Sequence, residues 1–240
     1  MTTANKFDPY GGADPRELPA YGISEAAHYL SIPDNTIRSW VCGRSFPAKD
    51  GARRSQRVIE PADPRTLMLS FVNLLELHVL GAIRRQHHVQ LPKVRTAVKY
   101  LATEFKSQHP LIDHDMWTNG TDLFSKRLGN LINLSREGQL AMQEMLGNYL
   151  HRIDRDAKGL AIRLYPFTRL TSTTAEAPRL IVIDPRLAFG RPVISGTRIP
   201  TGDVFERFKA GDSPDQLTQE YGRTPEEIFE AIRYEADRAA

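Results

Sequence analysis

The chain of 240 residues has a single cysteine, Cys42, which excludes an internal disulfide and any multi-cysteine zinc site. It has no run of about eighteen apolar residues, so no segment has the length to cross a bilayer as a helix. The opening MTTANKFDPYGGADPRELP lacks the apolar stretch of a secretion signal. A reducing cytoplasm is the expected setting. An H-E-x-x-H pattern is missing, His87 and His88 are adjacent and point apart, and His78 stands alone on a helical pattern. Glycines are scattered at turns, and Gly190-Arg191-Pro192 has no strand-to-helix context to make a phosphate loop of it. No βαβ alternation offers carboxylates at strand ends for a two-metal nuclease. The expectation is a non-enzymatic protein with no catalytic residue, no metal and no cofactor.

What is there has the balance of a globular protein, 40% hydrophobic and 25% charged, at a length that allows one large or two small domains. The net charge is +3 and unevenly spread. Between Arg38 and Arg65, seven basic residues face three acids; from Ser213 onward, seven acids face three arginines. One end suits a polyanion and the other does not.

Periodicity and caps predict a mainly helical α+β chain. Residues 1–17 read as a disordered arm. ISEAAHYL, with Ser24 as N-cap, and DNTIRSWV, with Asp34 as N-cap, read as two short helices across a turn at Ser31–Pro33. Asp50-Gly51 predicts a two-stranded wing. Two amphipathic helices follow, over Ser70–Arg85 and from Pro92 onward, closing a unit at 18–107. Residues 108–170 read as an α+β middle region and a possible dimer surface. Asn119-Gly120 there suggests a turn between short strands. A helix over Arg136–Arg155 is expected to bury Leu140, Met145, Tyr149 and Ile153. The polar, threonine-rich 171–177 reads as a linker. Residues 178–240 read as short extended pieces and three capped helices, opened by Thr201, Ser213 and Thr224.

A helix-turn-helix with a wing binds DNA when its second helix offers donors to base edges and flanking cations hold phosphates. Asn35, Thr36, Arg38 and Ser39 fit the first role, with Ile37 and Trp40 turned to the core. Arg44, Arg53, Arg54 and Arg57 fit the second. YGISEAAHYLSIPDNTIRSWV resembles the start of a MerR-type winged helix over about the first hundred residues. That resemblance implies DNA binding; because a single winged helix buries little DNA, a homodimer on an inverted repeat is expected. It implies no metal sensing, since one cysteine cannot supply the ligands.

IDPRLAFGRPVISGTRIPTGDVFERFKAGDSPDQLTQEYG, followed by TPEEIFEAIRYEA, resembles a bacterial family of small antitoxin-type domains of unknown function. The likeness runs from Ile181 to Ala236. Such domains are often encoded beside a toxin with a PIN-like ribonuclease fold, in the manner of VapBC pairs. The resemblance implies an antitoxin that represses its own operon and covers a toxin's acidic cleft. Arg198, Glu226, Glu227, Glu230 and Arg238 are the candidate toxin-facing residues; either Arg198 or Arg238 could enter the cleft. Glu226, Glu227 and Glu230 on the last helix would repel phosphate, which suits that module to protein rather than DNA. The linker would let each end work without the other. The alternative is a stand-alone transcriptional regulator with no toxin partner.

Overall fold

The computed structural model describes residues 10–48, 51–87, 90–113, 116, 120–169 and 177–236, with the side chains of 46–48, 52–53 and 84–87 outside the description. The fold is mainly helical with small antiparallel two-stranded sheets. In chain order the elements are α1 (Ile23–Leu30), α2 (Asp34–Cys42), β1 (Ser45–Ala48), β2 (Gly51–Arg54), α3 (Phe71–His87), α4 (Leu91–Phe105), α5 (Thr121–Ile132) and α6 (Arg136–Leu150). There follow β3 (Ile153–Arg155), β4 (Ala161–Leu164), β5 (Ile181–Val182), β6 (Val193–Ile194), α7 (Thr201–Lys209), α8 (Pro214–Tyr221) and α9 (Pro225–Ala236). The strands pair β1 with β2, β3 with β4 and β5 with β6.

The two expected N-caps are displaced by one or two residues. Gly22 caps α1, and its N–H donates to Glu25 Oε2 at 3.3 Å. Glu25 meets the need of the helix start from within the first turn, so no side chain is required at the cap itself. Ser24 Oγ instead donates to Asp34 Oδ2 at 2.5 Å, and Asp34 is the first residue of α2 rather than its cap. The bond ties the two helix starts together.

Helix α3 is the axis of the larger core. Its apolar spacing predicts an amphipathic helix, yet every residue from Phe71 to Ile83 is buried, packed by α1 on one side and α6 on another. Buried polar residues are tolerated when their bonds are made. Asn73 Oδ1 accepts from the N–H of Ala62 at 2.9 Å and of Ser70 at 3.1 Å, and its amide donates to Glu60 O at 2.8 Å. His78 Nε2 lies 3.2 Å from Tyr149 O.

Glu76, on the same helix, meets His109 at 3.2 Å, and Glu17 lies 3.9 Å from the other ring nitrogen. Burial raises the Glu76 carboxyl above its usual range. Burial alone would lower the His109 imidazolium, but its bond to Glu76 and the nearby charges leave it raised. A raised folded-state value means stability is present below the unfolded imidazole value of about 6.5 and is lost as pH rises through the folded one. Thermal melts should therefore show a midpoint that declines as pH rises above about 6.5. His109→Gln should flatten that decline; an unchanged slope would disprove the assignment.

The middle region departs from expectation in two places. Thr121–Ile132 is helical where strands were expected; Asn119, which carried the turn signal, lies outside the described residues. On α6 the buried stripe is Met142, Met145, Leu146, Tyr149 and Leu150. Leu140 is 57% exposed, because it sits about 200° around the helix from Met142. Ile153 is buried as expected, but in β3 after the helix has ended.

One side chain holds the described segments that precede and follow residues 170–176. Arg152 is 0% exposed and has four carbonyls as partners. Its Nε donates to Tyr165 O at 2.8 Å, Nη1 to Ala177 O at 2.6 Å, and Nη2 to Pro166 O at 3.3 Å and Pro178 O at 2.8 Å. The guanidinium also lies 4.9 Å from the centre of the Phe167 ring. Burial lowers its pKa to about 10, so the group remains charged at neutral pH, held by carbonyl dipoles rather than a carboxylate.

The C-terminal module has its own small core of Ile181, Ile194, Val204, Leu217, Ile228, Ala231, Ile232 and Tyr234. Its caps follow the sequence. Ser213 and Gln216 form a reciprocal box at α8, and Thr224 and Glu227 do so at α9. The module is not detached. Ile183 and Leu164 exchange two backbone hydrogen bonds of 2.8 and 2.9 Å. Tyr234 Oη donates to Tyr29 O at 2.9 Å, and His28 Nε2 lies 2.5 Å from Glu235 Oε2. Helix α1 thus rests on α9. The end of the expected arm is also held, with Tyr10 Oη donating to Pro185 O at 2.8 Å.

Candidate functional site

Helix α2 divides its residues as its period dictates. Ile37, Trp40 and Val41 are buried, Asn35 and Arg38 are exposed, and Thr36 and Ser39 are half-buried. Ser39 Oγ donates to Thr36 O at 2.7 Å, so that hydroxyl is occupied locally. The hairpin is fixed to the end of α2 by a close backbone approach. Gly43 has φ 73°, and a Cβ there would meet Ser55 O at 2.0 Å. Only glycine fits. Ser55 N–H donates to Arg44 O, and Arg44 N–H donates to Ser55 Oγ, both at 2.8 Å. Trp40 O accepts from Val58 and Ile59, which ties the chain beyond β2 to the same helix.

The pairing of Ser45 with Arg54 brings Arg44 and Arg54 together at the base of the hairpin, Arg38 is exposed on the helix that seats it, and among the described residues none of the three has an ion-pair partner. Arg57 is also exposed but is paired with Glu60 at 2.6 Å. The Arg53 side chain lies outside the described residues, as does Asp50 at the hairpin turn; the Arg53 backbone pairs with Phe46. Two further cations join from elsewhere in the chain. Arg65 lines a shallow groove with Cys42, Arg54, Gln56 and Arg57, and Lys99 of α4 donates to Gln56 Oε1. Arg65 belongs to the basic run in the sequence. Lys99 is brought in from 43 residues away, and no local signal could have found it.

The candidate toxin-facing residues divide. Arg198 is exposed and, among the described residues, has no ion-pair partner; it lines an open groove with Arg163, Tyr165 and the Ser195–Thr197 turn. Glu226 is exposed. Arg238 lies outside the described residues. Glu227 and Glu230 are not presented to solvent as expected. Glu227 closes the N-terminus of α9, accepting from Thr224 N–H at 2.8 Å and from Arg223 Nε at 3.1 Å. The Arg223 guanidinium, outweighing burial, holds its carboxyl below the usual range. Glu230 is 1% exposed and accepts from Thr168 Oγ1, from Arg169 Nη2 at 3.2 Å and from Arg233. Glu235 accepts from Thr201 and meets His28. The reason is helical spacing: residues 227, 230, 231 and 234 share the face that packs inward, leaving 226, 229 and 233 outside.

Among the described residues, no group of three or more histidine, cysteine or carboxylate side chains is arranged to hold a metal, and no helix is long and apolar enough to cross a membrane.

Residues 181–234 match the family described as Protein of unknown function (DUF433). The match begins at β5 and ends inside α9, so it covers the module that leans on α1. Over 235 residues the chain is 28% identical to the Mycobacterium tuberculosis protein named "Putative antitoxin VapB45", covering 90% of this chain and 93% of that one. The likeness runs along nearly the whole length of both chains. A crystal structure of Rv2018 from Mycobacterium tuberculosis has the same fold, with a TM-score of 0.65 and 23% identity over 90% of this chain and 98% of that chain.

Proposed function

We propose that this chain is the DNA-binding antitoxin of a toxin–antitoxin pair. It binds its own operator as a homodimer through a winged helix-turn-helix made of α1, α2 and the β1–β2 hairpin. It neutralises a PIN-like ribonuclease encoded beside it, chiefly through the module that begins near residue 178. The observation that carries the reading is the cation set around α2: Arg38, Arg44 and Arg54 are exposed and, among the described residues, free of carboxylate partners, beside a rigidly seated hairpin. The name borne by the VapB45 relative supports the toxin half.

Arg38 and Asn35 would read base edges, and Arg44, Arg53, Arg54 and Arg57 would hold phosphates, with Thr36 and Ser39 beside them. One winged helix covers one half-site, so a two-fold pair on half-sites about 34–36 Å apart is expected. Helix α6, with Leu140 exposed, offers a surface for that pairing. A metal-dependent ribonuclease works through clustered carboxylates, which Arg198 could meet across the interface.

A fragment beginning at residue 178 is not the right unit to test. Glu230 would lose Thr168 and Arg169, and Glu235 would lose His28. Full-length protein should instead retard DNA from upstream of its own reading frame and restore growth to cells expressing the neighbouring toxin. Retardation without rescue would favour the stand-alone regulator. Rescue without retardation would leave the antitoxin but remove the DNA half.

A further inference from the structure

Between β5 and β6 the backbone does something that side chains disfavour. Ala188 has φ 45° and Phe189 φ 55°, and Gly190 follows at 81°. Non-glycine residues rarely enter this left-handed region, and bulky ones least of all. Burial would offset the strain if Phe189 filled a cavity, but it is 79% exposed.

The loop around it is firmly built. Asp184, held by Arg163 Nε at 3.0 Å, accepts from Arg186 N–H at 2.9 Å. Leu187 N–H donates to Asp184 O at 2.9 Å and Gly190 N–H to Leu187 O at 2.8 Å. Tyr21 Oη, buried at the start of α1, donates to Gly190 O at 3.2 Å. A Cβ on Gly190 would lie 2.2 Å from that same oxygen, so the loop is pressed against the first domain. The strained phenylalanine therefore stands on a rigid base. Such outliers persist where the surroundings over-determine them, and they cluster at recognition sites.

The charge beside it is mostly positive, and the nearest acids are Asp184, already bonded within the loop, and Asp203, 3.8 Å from Arg191 across two exposed side chains. Residues 185–202 contain Arg186, Arg191 and Arg198 and no carboxylate. All three arginines are exposed, and Arg191 reaches back to Ala188 O at 3.4 Å, next to the phenylalanine. An exposed aromatic ring with arginines around it is the composition of an interface hot spot. A second copy of this chain fits poorly, since a two-fold contact would set arginines against arginines.

We propose that Phe189 is the apolar anchor of the toxin contact, entering a pocket on the toxin whose rim is acidic, with Arg186 and Arg191 pairing to that rim. The inference rests on the antitoxin reading above. The strain gives it a signature that an ordinary contact lacks. Glycine adopts the left-handed region freely, so Phe189→Gly should melt at the same temperature as wild type or higher. Its dissociation constant for the neighbouring toxin should rise at least tenfold, mainly through faster dissociation.

Surface plasmon resonance with immobilised toxin, melting curves, gel filtration and DNA retardation on the same two proteins form the test. DNA affinity and oligomeric state should stay at wild-type values. Toxin affinity within twofold of wild type would overturn the proposal. A lowered melting point would show that Phe189 serves the fold instead. A change in oligomeric state or in DNA binding would assign the ring to a second copy or to nucleic acid. Wild-type protein that fails to bind the toxin at all removes the antitoxin reading itself, which is a separate outcome from a bound wild type and an equally bound variant.

Discussion

Arg152→Met should destabilise the chain by about 3–5 kcal/mol, because four carbonyls lose a fully buried donor, two of them in buried bonds, and each unpaired buried group costs on the order of 1–3 kcal/mol. For a protein of this length the melting midpoint should fall by roughly 10–15 °C. Methionine preserves much of the volume, so the loss reports on the hydrogen bonds more than on packing. Arg152→Lys should recover little, since an ammonium cannot span Tyr165, Pro166, Ala177 and Pro178 as the planar fork does. Proteolysis should sharpen the picture, with cleavage in the 170–176 stretch accelerating in the variant before global unfolding. A midpoint within about 3 °C of wild type would show that Arg152 is not what fastens the ends of this segment.

The second large effect concerns DNA. The Arg38→Ala, Arg53→Ala, Arg54→Ala triple variant should lose at least a hundredfold in operator affinity at moderate salt. Each phosphate contact contributes about one to the slope of log affinity against log salt, so removing Arg53 and Arg54 should reduce the slope by about two. Arg38 projects from the exposed face of α2, where a guanine contact would contribute about 1–3 kcal/mol. Arg38→Ala alone should therefore relax preference at one base position, while Arg54→Ala weakens binding to all sequences alike. Arg57→Ala makes a useful contrast. Its guanidinium is already engaged by Glu60, so its loss should matter less. Titrations by fluorescence anisotropy across a salt series decide the matter, and a triple variant with wild-type affinity and slope would remove the DNA face from α2 and the hairpin.

The parts of this architecture that were legible in the sequence are those governed by local rules. Ile37 and Trp40 inward with Arg38 outward follows from the helical period. The α8 and α9 starts follow from Ser213 with Gln216 and Thr224 with Glu227. The β1–β2 hairpin forms where its turn signal stands. Where local rules mislead, a longer-range partner is responsible. Asn119-Gly120 is a turn signal, but the segment after it is recruited as α5 by packing between α4 and α6. Leu140 looks like core until the true stripe through Met142 and Leu146 is seen. Glu230 reads as a surface acid because nothing near it in sequence announces Thr168 and Arg169. Arg152 reads as one more cation at the end of a helix, since four backbone carbonyls leave no mark on sequence. The left-handed turn at Phe189 is equally silent: Ala-Phe-Gly carries no instruction to place a phenylalanine there.

The contact between α1 and α9 joins residues made far apart in synthesis. Tyr29 and Tyr234 are 205 positions apart, and His28 and Glu235 are 207 apart. A ribosome adding about 5–20 residues per second leaves α1 waiting roughly 10–40 s for the helix it rests on. During that interval Tyr21, His28 and the Tyr29 carbonyl lack their final partners, and the α1 end is the less stable end. A truncated or stalled product never gains them. Only a chain translated past Glu235 can close α1 onto α9, so the stock of protein with this contact made should track elongation through α9 more steeply than it tracks initiation.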